Sequence, residues 1–191
     1  MIYDGIITHA QEGKPEEVCG LLRGHAGLAT KLLRVKNVAP NRIMDYEVDP
    51  ETLVTLFDWE EAGDELIAIY HSHPGGPAYP SASDAYQAYY PDTVSLICSL
   101  LDETEPVLRG FLLRELSGKI DLEDVQKEIA FEEARSGRWA AYIPDQRPSP
   151  SSLAHLDRPP EQALYVVYQQ QQSGSATVRA VTIKIVDVVI E

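Results

Sequence analysis

Residues 71–84 concentrate the side chains that could do chemistry: His71-Ser72-His73-Pro74-Gly75-Gly76-Pro77-Ala78-Tyr79-Pro80-Ser81-Ala82-Ser83-Asp84. The two histidines stand at i and i+2, so on an extended segment both side chains leave the same face. Asp84 follows a Pro/Gly-rich loop, at or near the start of a short helix, and that loop is long enough to fold it back toward the histidines. Two His and one carboxylate are a recurrent donor set for catalytic zinc, with water in the fourth position. Plainer readings stand beside this one. Ser81, Ser83 or Asp84 would each serve as a helix N-cap, and a histidine at a strand end is commonly a hydrogen-bonded surface residue. His-x-His beside Gly-Gly and ahead of Ser-x-x-Asp favours the metal site.

The elements that must position these residues follow from periodicity. Ile2, Ile6, Ile7 and Ala10 predict a helix over 1–16, ended near Pro15. The apolar run 18–23, a turn at Gly24-His25-Ala26-Gly27 and alternation over 29–38 predict two strands. A helix is expected over 50–63, with Gly63 as its stop. The continuous apolar run 66–70 predicts a strand covered on both faces, with the histidines at its end. A short helix from 83, strands over 94–101 and 107–115, and an acidic turn at 102–106 complete an α/β or α+β pattern. Beyond it, 121–138 reads as a charged helix with Leu122, Val125, Ile129 and Phe131 as its packing stripe. Residues 144–160 hold five prolines and predict a loop. Residues 164–169 and 177–190 predict a hairpin turning around Ser173-Gly174-Ser175.

The composition excludes several functions. With 16 Lys+Arg against 30 Asp+Glu the formal net charge is −14, which disfavours nucleic-acid backbones and anionic membrane surfaces as partners. No apolar run approaches the roughly 20 residues a bilayer requires, and the N-terminus lacks the pattern of a signal peptide. The expected location is cytoplasmic. Cys19 and Cys98, both in apolar runs, cannot make a disulfide framework or a four-cysteine metal site and read as small buried hydrophobes.

His71-Ser72-His73, seven residues, Ser81-x-x-Asp84 resembles the JAMM motif of the MPN-plus zinc metalloproteases. A second segment agrees: Pro15-Glu16-Glu17-Val18-Cys19-Gly20-Leu21-Leu22-Arg23-Gly24 is similar to the family's P-x-E-x-C-G-L-L-x-G stretch. Asn37-Val38-Ala39-Pro40 and Arg109-Gly110-Phe111 resemble later elements. The resemblance covers residues 1–118. It implies an MPN-type mixed β-sheet flanked by helices for that part of the chain; the family says little about 119–191, which the residues themselves read as an extension of charged helix, Pro-rich loop and β-hairpin, expected to pack on the same domain.

The resemblance further implies Zn²⁺ held by His71, His73 and Asp84. Glu17 would be the general base and Ser81 the donor to the oxyanion, with Glu16 as the neighbouring alternative base. Family members cut (iso)peptide bonds after the C-terminal Gly-Gly of ubiquitin or a ubiquitin-like protein, so such a protein or its conjugates is the expected substrate. Loops 40–50 and 74–80 are the candidate walls of a groove for that tail. Three other readings stay open: processing of a ubiquitin-fold sulfur carrier, a non-catalytic scaffold, and hydrolysis of small amides. Long apolar strands over 164–190 leave homo-oligomerisation as a further expectation.

Overall fold

The computed structural model describes residues 1–135, 137–171 and 174–189. They divide into two compact units: residues 1–79, 93–111 and those from 185 on form the first, and residues 80–92 and 112–184 the second.

In the first unit, α1 (Ile2–Gly13) turns Ile6 and Ala10 inward. β1 (Cys19–His25) and β2 (Leu28–Val35) pair as an antiparallel hairpin. Its tip, Ala26-Gly27, has positive φ at both residues (51° and 78°), as a two-residue turn matched to strand twist requires. The stripe over 50–63 predicts one helix, but the chain forms two, α2 (Pro50–Leu53) and α3 (Thr55–Glu61). The Thr55 hydroxyl donates to the Thr52 carbonyl at 2.7 Å, a local bond that competes with the helical ladder between the two helices.

β3 (Glu65–His73) pairs antiparallel with β1 and parallel with β4 (Val94–Ser99), and β5 (Val107–Glu115) pairs antiparallel with β4. The strand order is β2-β1-β3-β4-β5. The two faces of this sheet bury different sets of residues. Leu22, Ala68, Tyr70, Leu96 and Cys98 pack with Ile6 and Ala10 of α1 on one face. Cys19, Leu21, Val35 and Ile69 pack with Trp59 of α3 on the other. Each large apolar side chain so buried contributes roughly 1.5–3 kcal/mol. The histidines do not follow β3 as the apolar run suggests; they are its last turns of pleat. His71, Ser72 and His73 remain paired with Ile97, Cys98 and Ser99.

In the second unit the sheet runs β9 (Ala176–Val186), β8 (Ala163–Gln170), β7 (Arg138–Ile143), β6 (Glu132–Arg135), each neighbour antiparallel. α4 (Ala82–Tyr86) belongs to this unit. The charged stretch 121–138 is only partly the helix it suggests: α5 spans Leu122–Glu128, Ile129 turns extended at φ −133°, and the chain becomes β6. Pairing with β7 overrides the helical propensity of Glu132 and Glu133. β7 itself carries no clear sequence period. Val125 nevertheless packs as the stripe predicts, with Ile129 and Phe131 against Ile143, Leu153, Leu164, Val166 and Ala180. The Pro-rich 144–160 is a loop holding a 3₁₀ turn at Ser151–Leu153. Ser136, Ser173 and Ile190, on which the expected helix, turn and strand end fall, lie outside the described residues.

Candidate functional site

The alternation of β3 puts Ile69, His71 and His73 on the sheet face that carries Cys19 and Leu21. His71 and His73 are buried, and their Nε2 atoms stand 3.0 Å apart. The His73 Nδ1 atom lies 2.8 Å from the Pro77 carbonyl oxygen. A carbonyl only accepts, so Nδ1 carries the proton and Nε2 keeps its lone pair, the form that binds metal ions. Two nitrogens about 2.0–2.1 Å from a tetrahedral zinc stand roughly 3.3 Å apart, close to the observed separation. The Tyr46 ring stacks on His71 with centroids 4.2 Å apart and planes 18° from parallel, which fixes the plane of that imidazole.

The loop after His73 is also tied down. Ser99 Oγ donates to the Gly76 carbonyl at 2.6 Å, and the Leu100 N–H donates to the His73 carbonyl at 3.1 Å. Tyr79 meets Phe111 edge-on, centroids 5.5 Å apart.

Glu17 precedes β1. Cys19 pairs with His71, so the antiparallel register carried two residues back sets Glu17 opposite His73. Ser72 strengthens that alignment from the opposite face: its N–H donates to the Val18 carbonyl at 2.9 Å, and its hydroxyl accepts from the Val18 N–H at 2.9 Å. The backbone of Glu17 is held on both sides, its N–H donating to the Arg42 carbonyl and its own carbonyl accepting from Asn37 Nδ2 at 2.8 Å. Glu16, the alternative base, instead forms a two-bond ion pair with Arg42, both contacts 3.0 Å.

Asn37 is the positioning residue that sequence reasoning passes over, quoting it only as part of a motif string. Besides Glu17, it donates to the Asp45 carbonyl at 3.0 Å and accepts from the Ala39 and Glu47 N–H groups at 2.9 and 3.1 Å. One buried amide therefore holds the Glu17 segment and the 38–47 loop together. Asn37→Ala strands several of these groups at a cost of about 3 kcal/mol. The midpoint of denaturant unfolding should fall accordingly, and an unchanged midpoint would mean that water replaces the amide without loss.

Ser81 and Asp84 lie in the second unit, where the plain helix-capping reading is realised. Ser81 is the N-cap of α4. Its hydroxyl accepts from the Asp84 N–H at 3.2 Å, and the Asp84 Oδ2 atom accepts from the Ser81 N–H at 2.6 Å. Capping does not exhaust either group. The Ser81 hydroxyl accepts with a lone pair, so its proton is not consumed by the cap, and the cap bond engages the Asp84 carboxylate through Oδ2. The same box fixes the rotamer of both side chains. Among nearby groups, burial pushes the Tyr165 phenol up to about 12, with the charges of Tyr142 and Asp84 adding to the shift. Burial, then the Glu17 charge, raises the Cys19 thiol to about 12.

The mixed sheet flanked by helices is of the JAMM/MPN type. The family described as prokaryotic homologs of the JAB domain matches residues 2–111, and the chain belongs to it. The desampylase of Haloferax volcanii is 44% identical over 103 residues, 50% of this chain and 74% of that protein. The CysO-cysteine peptidase of Mycobacterium tuberculosis is 29% identical over 126 residues, 65% of this chain and 85% of the relative. The probable TtuB-protein conjugate cleaving protease of Thermus thermophilus is 38% identical over 82 residues, 42% of this chain and 55% of the relative. The solved structure of protein DSY2949 from Desulfitobacterium hafniense is similar with a TM-score of 0.52 at 31% identity, covering 58% of this chain and 79% of that one. Among the described residues, no helix is long and apolar enough to cross a membrane.

Proposed function

We propose that this chain is a zinc-dependent peptidase that hydrolyses the peptide or isopeptide bond after the C-terminal Gly-Gly of a ubiquitin-like protein. The observation that carries the reading is the histidine pair, one of its rings held in the metal-binding tautomer, in a chain similar to proteins named a desampylase, a CysO-cysteine peptidase and a probable TtuB-protein conjugate cleaving protease. His71, His73 and Asp84 are a donor set that could hold a metal ion, and two imidazoles with one carboxylate suit zinc. Zinc held there supplies Lewis acidity that makes water a usable nucleophile near pH 7.

The chain's own residues do the rest. Glu17 accepts the proton of the attacking water and returns it to the leaving amine. The Ser81 hydroxyl donates to the oxygen on which negative charge develops. The 40–50 and 74–80 loops form the walls for the Gly-Gly tail. Ile43 and Met44, both largely exposed, give the first wall an apolar surface, and the bonds from Ser99 and His73 hold the second in shape. A side-chain-free Gly-Gly segment can lie flat between such walls and bond through its backbone.

The test is a linear fusion of a ubiquitin-fold protein, ending in Gly-Gly, to a reporter. The zinc-loaded protein should cut it after Gly-Gly, lose the activity on chelation and regain it with added zinc. Cleavage that survives chelation overturns the metal. Zinc uptake with hydrolysis of small amides only overturns the substrate class, and fusions to a sulfur carrier against fusions to other ubiquitin-fold proteins separate the two substrate readings.

A further inference from the structure

We infer that Arg138 and Arg179 are positioning residues for the Ser81/Asp84 cap, joining the sheet of the second unit to the chemistry proposed above. The inference rests on that reading for its consequence, but on separate observations for its geometry. α4 has five residues, too few to be stable through its own ladder. What holds it must be tertiary.

The β7–β9 register supplies the anchors. Arg138 pairs with Gln169, Ala140 and Arg179 both pair with Val167, and Tyr165 pairs with Val181. These residues share one face of the sheet; the opposite face packs on α5 and the 3₁₀ turn. Both arginines are only 7% exposed. Arg138 donates to the Ser83 hydroxyl at 3.0 Å and to Gln169 Oε1 at 3.1 Å, and its guanidinium lies 4.2 Å from the centroid of the Tyr86 ring. It thus grips α4 by its second residue and its last. Arg179 takes the C-terminal end of the helix as well. It donates to the Tyr86 carbonyl and, at 2.8 Å, to the Ala88 carbonyl, while Glu115 neutralises it through contacts of 3.0 and 2.8 Å. Its guanidinium lies 4.9 Å from the Tyr89 ring.

Carbonyls at a helix C-terminus have no partners within the helix, and a cation there also opposes the helix dipole. Only the planar, five-donor fork of arginine serves carbonyl, carboxylate and ring at once. A buried arginine on each of two strands, each turned on this short helix, is a costly arrangement unless the helix must stay in one place. The residue that needs fixing is Asp84, whose carboxylate belongs to the same cap.

The test uses the full chain as wild type, Arg138→Met, Arg138→Lys and Ser83→Ala. Zinc affinity is measured by competition with a chromophoric chelator. Amide exchange at Ala85 and Gln87, which donate to Ser81 and Ser83, is followed in metal-free protein. Arg138→Met should weaken zinc binding about 10–100-fold, the range for residues that orient a ligand, and speed exchange at both amides while β1 and β3 keep theirs. Arg138→Lys should fall between Met and wild type. Unchanged affinity and exchange in folded Arg138→Met overturns the inference. Should that variant fail to fold, Ser83→Ala decides in the same way. A wild type that takes up no zinc defeats the metal reading instead, and the exchange comparison still decides whether the arginines hold α4.

Discussion

Glu17→Gln should bind zinc like the wild type and cleave the Gly-Gly fusion about 10²–10⁴-fold more slowly, the usual range for a positioned general acid–base. The substitution keeps the shape of the side chain and removes its ability to take a proton. The backbone bonds of residue 17, to Arg42 and from Asn37, do not depend on the side chain and stay in place. Stability should change by no more than about 0.5 kcal/mol. Loss of the glutamate charge should also let the Cys19 thiol titrate lower than its present value near 12, of which that charge is the second cause after burial. Glu16→Gln is the control: its carboxylate is paired with Arg42 at the surface, and its removal should alter the rate by less than about twofold, as expected of an exposed ion pair. Equal losses in both variants, measured as kcat/KM, would remove the base role from Glu17.

His73→Ala should abolish the stabilisation that zinc gives the wild type. At zinc a hundred times above Kd, binding to the folded state alone adds about 2.7 kcal/mol, which for a chain of this size is a rise in Tm of about 5–10 °C. Removing one of three protein ligands should weaken binding by more than the roughly 100-fold that an orienting residue can cost. A scanning calorimetry trace with and without zinc reads this directly. The metal-free variant should melt only modestly below the metal-free wild type, since it loses the bond to the Pro77 carbonyl at about 1 kcal/mol together with some packing. A variant that keeps the full zinc-induced shift would show that the ion sits elsewhere.

The candidate donor residues stand out in the sequence because their spacing is local. His-x-His on a strand and Ser-x-x-Asp at a helix start announce themselves through periods of two and three residues. The apolar run ahead of the histidines marked β3, although not that the strand continues through them, since polar residues in a strand carry no sign of burial. Elements held by pairing were harder. Glu132 and Glu133 look helical alone and become strand only because β7 lies beside them, and the Arg-Trp-Ala-Ala-Tyr-Ile of β7 shows no period until its neighbours are known. The positioning residues were illegible for a related reason. Asn37, Arg138 and Arg179 act on groups 20, 55 and about 90 residues away, and nothing in their immediate sequence distinguishes them from a turn asparagine or a solvated arginine.

Cys19 is the Cα partner of His71 in the sheet, and Cys98 is that of Ser72 between the histidines. Both are buried, and burial holds the thiols up near 12 and 11. At neutral pH almost none of either is thiolate, the form that electrophiles and peroxides attack. The strand carrying the histidines is therefore flanked by sulfur that stays chemically silent. Alkylating reagents and mild oxidants should have little handle on it, and sensitivity to chelators without sensitivity to thiol reagents would be a practical signature by which the proposed activity could be told apart from a cysteine peptidase in a mixed extract.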